Sequence, residues 1–328
     1  MSNELVGLAD IEAAAERISG VALRTPLMEA TVDWSLEPGA PAAQSAGAFW
    51  LKCENVQPTG SFKIRGACNM LAQLSIEASA AGVVTYSSGN HGQAVAFAAE
   101  RLGIRALIVM PETALRVKVD GVRRHGGEVI FAGTTSVDRR TVAEAEAAAS
   151  GFTIVPPFDH PWIIAGAGTC GLEILAQCPA VSTVYVPVGG GGLISGVAAA
   201  IKGSGCAVRV IGVEPVGAAR MALSRAAGRP ARLEGASSIA DGLLPLQPGA
   251  LTFAHVRALV DDLVTVDDGA ILRALRWLSR QADMVVEPSG AASVAAILQS
   301  GASIPPGTVA VVSGGNVSAE DHARYLKP

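Results

Sequence analysis

Charged side chains, aromatic rings and lysines are all scarce in this chain. Of its 328 residues, 16% are charged and 4% aromatic, and 29 acidic against 25 basic side chains leave a formal charge of -4. Such a balance gives no basic field to hold a polyphosphate backbone, and no stretch interleaves clustered Lys or Arg with aromatic rings, so no nucleic-acid partner is expected. The five cysteines (Cys53, Cys68, Cys170, Cys178, Cys206) are odd in number and form no C-x-x-C pair. That argues against a disulfide framework or a zinc site and predicts reduced, buried, small apolar side chains. No apolar run reaches about 18 residues, and the opening MSNELVGLADIEAAAERISG lacks the charged-then-apolar order of a leader, so a cytoplasmic location away from membranes is expected. Hydrolase and nucleotide motifs are missing as well. There is no Gly-Lys dipeptide for a Walker A loop, and no G-x-S-x-G, S-x-x-K or H-E-x-x-H. The five histidines (His91, His125, His160, His255, His322) show no metal-ligand spacing; each reads as a surface or satisfied polar residue, and no metal is expected.

Half of the residues are apolar and 37 are glycine, gathered in clusters. The length suggests one to three domains, with two as the central expectation. Hydrophobic periodicity predicts a helix capped by Asp10 and running to Ser19, an excursion over 31–48, and a strand over 48–53. Strands at 82–86, 106–110 and 128–131 alternate with helices over 90–101, 113–125 and 137–149. A second set follows, with helices over 162–177 and 191–202 and strands over 183–188 and 208–213. Residues 228–262 read as irregular, and helices over 267–281 and 288–299 precede a last strand at 308–312. This alternation predicts an α/β fold with parallel sheets covered on both faces.

Ligands of open α/β sheets bind beyond the C-terminal ends of strands, where helix N-termini offer unpaired N–H groups. Three glycine clusters follow strands: Ser87-Ser88-Gly89-Asn90-His91-Gly92, Gly189-Gly190-Gly191-Gly192 and Ser313-Gly314-Gly315-Asn316. The four-glycine run can curl around an anion at a helix start that carries about half a positive charge, and a phosphate is its natural guest. It does not fit G-x-G-x-x-G, because the third glycine falls on Ile194 or Ser195. A tight strand-to-helix turn is the bland alternative. Of five lysines (Lys52, Lys63, Lys118, Lys202, Lys327), Lys63 stands at a helix start after Pro58-Thr59-Gly60-Ser61-Phe62. Alone it would read as an ordinary solvated lysine. Together with a phosphate cradle and two neutral, Ser/Asn-bearing loops it fits pyridoxal 5'-phosphate: Lys63 supplies the imine, the glycines the phosphate site, and neutral side chains the ring contacts.

The motifs T-P-L at Thr25, K-x-E-N at Lys52, T-G-S-F-K-I-R-G-A at Thr59, S-S-G-N-H-G-Q-A at Ser87, the glycine run and S-G-G-N at Ser313 occur in one order. In that order the chain resembles the serine/threonine dehydratase and serine racemase family, the β-family (fold type II) of pyridoxal-phosphate enzymes. The resemblance spans residues 10–318. It implies two open twisted α/β domains of the tryptophan synthase β-like kind, with the cofactor in the interdomain cleft. Residues 1–81 and 160–328 would form the large cofactor-binding domain, 82–159 a small mobile domain, and two chains a homodimer.

Carried over by position, the resemblance implies that Lys63 holds the cofactor, Phe62 packs on its ring and Asn90 bonds its phenolic oxygen. Gly189, Gly190, Gly191, Gly192 and Leu193 would bind the phosphate, and Ser313 would face the pyridine nitrogen. The substrate carboxylate would sit on Ser87, Ser88, Gly89, Asn90 and His91, with Arg139 on the substrate side; capping of the next helix by Ser88 or Asn90 is compatible with this. The implied reaction is β-elimination of a β-hydroxy amino acid such as L-threonine or L-serine to a 2-oxo acid and ammonia. Lys63 would take the Cα proton, and the cofactor phosphate would assist loss of the hydroxyl.

Ser88 stands where the racemases keep a second base, so racemisation stays open beside dehydration. The stretch Ile164-Ala165-Gly166-Ala167-Gly168-Thr169 has alanine where the family usually has glutamine, which leaves hydroxyaspartate, an aryl-serine or another hydroxylated amino acid as further substrates. Where metal-dependent members present Glu, a backbone carbonyl and Asp, this chain has Glu214, Ala218 and Arg220. The arginine would supply the charge itself or pair with Glu214; a plain surface pair is the alternative. A chain ending at Pro328 is expected to lack a C-terminal regulatory domain. A non-catalytic, ligand-sensing relative is the rival reading, opposed by the intact Lys63, glycine run and Ser313.

Overall fold

The computed structural model describes residues 4–32, 47–87, 89–300 and 304–327. Among them the chain forms β1 (Leu27–Val32), β2 (Gly47–Cys53), β3 (Val83–Tyr86), β4 (Ala106–Met110) and β5 (Glu128–Phe131), then β6 (Thr153–Ile154), β7 (Thr183–Pro187), β8 (Arg209–Pro215), β9 (Asp262–Val266) and β10 (Thr308–Val312). One sheet has six strands in the order β1-β2-β10-β7-β8-β9, and the other four in the order β5-β4-β3-β6. The smaller sheet is parallel throughout and comes entirely from residues 83–154. In the larger sheet β1 runs antiparallel to β2, unlike the parallel pairs beside it. This departs from the expected all-parallel sheets: β1 lies at the sheet edge, antiparallel to the next strand in the chain.

The helices are α1 (Leu8–Arg17), α2 (Lys63–Leu71), α3 (Ile76–Ala81), α4 (Asn90–Leu102), α5 (Arg116–Arg124) and α6 (Ser136–Ser150). They continue with α7 (Pro161–Gln177), α8 (Gly192–Gly203), α9 (Arg220–Ala227), α10 (Ala250–Leu259), α11 (Asp268–Ala282), α12 (Pro288–Ser300) and α13 (Ala319–Leu326). Most lie within a few residues of their expected bounds. Asp10 sits at the third position of α1 rather than at its cap, accepting from the Gly7 N–H at 2.9 Å. The segment 228–262 is not irregular throughout, for it contains α10, and β9 follows at once. The N-terminus of α10 is capped from far along the chain. Asp159 accepts from the N–H groups of Ala250, Leu251 and Thr252 at 3.0, 3.0 and 3.1 Å, so no local capping residue marked the helix. Most of the excursion expected over 31–48 lies outside the described residues.

Apolar side chains fill both faces of the larger sheet. Phe49, Leu51, Val312 and the inward faces of α11 and α12 pack on one side, and Val184, Val186, Val309 and α8 on the other. Helices α2 and α7 cross at backbone distance. A Cβ on Gly166 would lie 2.4 Å from the Arg65 carbonyl oxygen, and one on Gly66 2.9 Å from that of Ile163. This close crossing fixes where the first residue of α2, Lys63, emerges. Four cysteines are buried as expected; Cys206 is exposed, because it follows the end of α8 in a surface turn.

Candidate active site

The residues that follow β3, β7 and β10 open onto one cleft of about 870 Å³. Phe62, Lys63, Ser87, Asn90, His91, Arg139, Gly189, Gly190, Gly191, Gly192, Leu193 and Ser313 all line it. Gly89 does not: the stem of Lys118 passes 2.1 Å from where its Cβ would be, so this glycine makes room for that lysine. Ser88 lies outside the described residues.

Two motifs far apart in sequence are stitched together around Lys63. The Phe62 N–H donates to the Ser313 carbonyl at 3.1 Å and the Gly315 N–H to that of Gly60 at 2.8 Å. Asn316 Nδ2 donates to the Thr59 carbonyl at 2.8 Å. The Lys63 ammonium then reaches the Pro157 carbonyl at 2.6 Å, with Nζ 5.1 Å from the Phe62 ring centre. Burial lowers this amine to about 8, and among the described residues no carboxylate pairs with it. Lys63 is thus half-buried in the cleft rather than free on a helix surface.

The helix that carries Lys63 rests on a buried ionic network. Arg65 bonds Glu54 through Nε and Nη2, both at 2.7 Å, and reaches Glu173 at 2.7 Å; Lys52 meets Glu173 at 2.5 Å and the Thr25 carbonyl at 2.8 Å. Burial works against the Glu54 carboxylate, yet Arg65, Thr25 and Lys52 hold it below its ordinary range. Lys52, wholly buried and paired, is spoken for.

In the four-glycine turn a Cβ on Gly190 would fall 2.2 Å from the Phe158 ring, and Gly191 has φ +99°, a conformation other residues seldom adopt. Among the described residues the N–H groups of Gly189, Gly190 and Gly191 have no backbone acceptor. Unpaired amides at the start of α8 suit an anion, and with an amine in the same cleft they suit a phosphorylated aldehyde.

At the start of α4 the hydroxyl of Ser87 accepts from the N–H groups of Gly89 and Gly92, both at 3.0 Å, so Ser87 caps this helix. Asn90 is its first residue, and the alternative of a cap by Ser88 lies outside the described residues. Asn90 Nδ2 donates to Glu287 at 2.5 Å and its Oδ1 accepts from Asn316 at 3.1 Å. His91 is buried, with Nε2 3.1 Å from the Val155 carbonyl and Nδ1 without a partner among the described residues. Desolvation, then the nearby charge of Lys63, lowers it to about 3, so it is neutral at working pH. Ser313 is buried, its hydroxyl 3.5 Å from the Ser289 carbonyl. Arg139 is 8% exposed and donates to the Thr134 carbonyl at 3.3 Å; its Nε has no partner among the described residues.

The sequence reading missed a second cluster. Lys118 of α5 bonds Asp241 at 2.5 Å and stands 3.6 Å from Glu287. Burial pushes Glu287 up to about 7 against the pull of Lys118. Burial also opposes the Lys118 charge, but Glu287 and Asp241 outweigh it and raise this ammonium. The only sequence signal was a carboxylate directly before a helix-starting proline, Glu287-Pro288. The surface pair considered for Glu214 and Arg220 is overturned: both are wholly buried, 3.4 Å apart. The Arg220 guanidinium itself bonds the Ala218 carbonyl at 2.6 Å. Among the described residues no group of His, Cys, Asp and Glu is arranged to hold a metal ion, and no helix is long and apolar enough to cross a membrane.

Comparison with known proteins agrees with this geometry. The sequence profile described as "Pyridoxal-phosphate dependent enzyme" matches residues 18–315. An L-threonine ammonia-lyase of Thermotoga maritima is 42% identical over 313 residues, 95% of this chain and 76% of that protein. A serine racemase of Oryza sativa is 41% identical over 313 residues, covering 94% of this chain and 90% of that one. The structure of maize serine racemase superposes with a TM-score of 0.89 at 38% identity, covering 98% of this chain and 97% of that one.

Proposed function

This chain belongs to the family of pyridoxal-phosphate dependent enzymes, and we propose that within it the chain is an ammonia-lyase. Its substrate would be a β-hydroxy amino acid such as L-threonine or L-serine, its products a 2-oxo acid and ammonia. The observation that carries this reading is Lys63: a desolvated amine lowered to about 8, unpaired with any carboxylate among the described residues, in the same cleft as the glycine cradle. An amine so placed can attach a cofactor and later accept a proton near neutral pH.

Lys63 would hold the cofactor covalently and Phe62 would flank its ring. Asn90, fixed by Glu287 and Asn316, would address the ring oxygen, and Ser313 the ring nitrogen. The amides of Gly189 to Gly192 and of Leu193 would hold the phosphate. When bound, the cofactor draws electron density from the substrate's α-carbon. Ser87, Asn90 and His91 at the start of α4 would receive the α-carboxylate, where the helix favours an anion. Arg139 would offer its free Nε to a substrate oxygen. Neutral His91 neither repels Lys63 nor competes for its proton.

Residues 82–159 would act as the smaller, mobile domain, a reading supported by a sheet drawn only from residues 83–154. Closing it over the cleft would exclude water during the reaction. The working unit would be a homodimer, as is commonest among oligomers. Racemisation is the second reading, supported by the serine racemases among its relatives and by Ser88.

The test uses purified protein loaded with pyridoxal phosphate. The wild type should show the visible absorption band of the lysine-bound cofactor, and Lys63→Ala should lose it together with activity. With L-threonine and L-serine, release of 2-oxo acid is expected; D-serine formed without pyruvate would overturn the lyase reading in favour of a racemase.

A further inference from the structure

Arg220 is one of the largest wholly buried side chains, and it is not among the residues that line the cleft. Its Nη2 donates to the Val188 carbonyl at 2.5 Å and its Nε to that of Gly189 at 3.1 Å. Its Nη1 donates to the carbonyls of Ala218 and Leu243, both at 2.6 Å. Four carbonyls on three separate segments thus converge on one guanidinium, with Glu214 beside it at 3.4 Å as counter-charge. Glu214 is itself held by the N–H groups of Met221 and Ala222 at 2.9 and 2.8 Å.

A planar trans peptide points its C=O and the following N–H in opposite directions, and the described chain has no cis peptide. Pinning the carbonyls of Val188 and Gly189 therefore turns the N–H groups of Gly189 and Gly190 to the other side of the loop. Thr252 does the same one peptide further on, its hydroxyl donating to the Gly190 carbonyl at 2.8 Å. The three N–H groups so turned are the ones left without a backbone acceptor. A run of glycines has no side chains to fix its peptide orientations, so the constraint has to come from outside.

We propose that Arg220 is a positioning residue for the anion cradle, an internal cation that anchors the carbonyl side of the glycine loop so that its amides stay aimed at the cofactor's phosphate. The proposal rests on the assignment of the phosphate to this loop and not on which amino acid is turned over. It assigns Arg220 no contact with the phosphate. Lysine could keep the charge but, with one compact head, cannot span four carbonyls.

The test measures the affinity of apoprotein for pyridoxal phosphate and for pyridoxal, which lacks the phosphate, by the visible absorption of the bound form. Arg220→Ala is expected to weaken pyridoxal phosphate binding by about tenfold or more, the scale of losing charged hydrogen bonds, and to leave pyridoxal binding unchanged. Guanidinium ion at non-denaturing concentration should refill the space and recover part of the loss, and Arg220→Lys should fall between. If Arg220→Ala does not fold, Arg220→Lys carries the same comparison, with the melting temperature of its apoprotein as the check on folding. Equal losses for both ligands, or unchanged affinity for pyridoxal phosphate in a folded variant, would overturn the proposal. Absence of turnover with every β-hydroxy amino acid would instead count against the lyase reading and leave these affinities interpretable.

Discussion

At the scale of single residues, burial decides what the titratable groups do. Lys63 is lowered to about 8 by desolvation alone, and attachment of an aldehyde requires the neutral amine. The rate at which added pyridoxal phosphate develops its visible band on the apoprotein should therefore rise with pH and level off above about 8; a rise continuing to the ordinary lysine range would refute the assignment. Glu287 shows the opposite sign. Its carboxyl is raised from 4.5 to about 7 by burial, so ionising it costs the folded state stability that is intact below 4.5 and lost as pH climbs through 7. Glu287→Gln removes that titration, while Lys118 keeps Asp241 as a partner. Melting curves should show the variant gaining on the wild type from pH 4.5 to 7 and holding a constant lead above it; a difference independent of pH would refute this. Lys63 could be picked from the sequence because glycine clusters elsewhere in the chain, and motifs in a fixed order, set it apart from the other four lysines. Glu287 could not, since Asn90 and Lys118 reach it only through the fold.

At the scale of elements, the glycine-lined crossing of α2 and α7 sets the position of Lys63. Gly166→Ala would drive a methyl group to 2.4 Å from the Arg65 carbonyl, on a backbone with no flexible end to yield. The helices must separate, at a cost of about 1–3 kcal/mol or more. Thermal melting should register the loss, and activity should fall further than stability alone explains, because Arg65 and Lys63 shift together. A melting temperature within a degree or so of the wild type would show that the crossing is looser than its geometry implies. The strands and helices that flank the motifs were legible because each carries its own periodic pattern and local turn. Helix α10 was not, because its cap is Asp159, supplied from another segment. Strand β1 was missed for a related reason: it pairs only with β2 at a sheet edge and buries one residue fully, Val32.

At the scale of the whole molecule, Lys118 joins the two sheets across the cleft. It belongs to α5, beside the smaller sheet, and its partners Asp241 and Glu287 precede elements packed on the larger one. Removing Lys118 takes the cation from both carboxylates, and since Glu287 can answer by taking up a proton, the loss is that of charged hydrogen bonds, about 1–3 kcal/mol. Lys118→Met should therefore lower the melting temperature and speed amide hydrogen exchange over residues 83–154 more than over the six-stranded sheet. Equal acceleration in both would show that the contact is not what holds the smaller sheet in place.

The sequence by itself determined the α/β class, the cofactor, the lysine that would carry it and the glycine run that would cradle its phosphate. These are local matters: a turn, a helix start or a peptide without a side chain is written in adjacent residues. Only the tertiary structure decided which charges meet. Arg65 with Glu54 and Glu173, Lys118 with Glu287, and Arg220 with four carbonyls all join segments distant in the chain. Such pairings are chosen by desolvation, which penalises any buried charge until a partner from elsewhere in the fold reaches it.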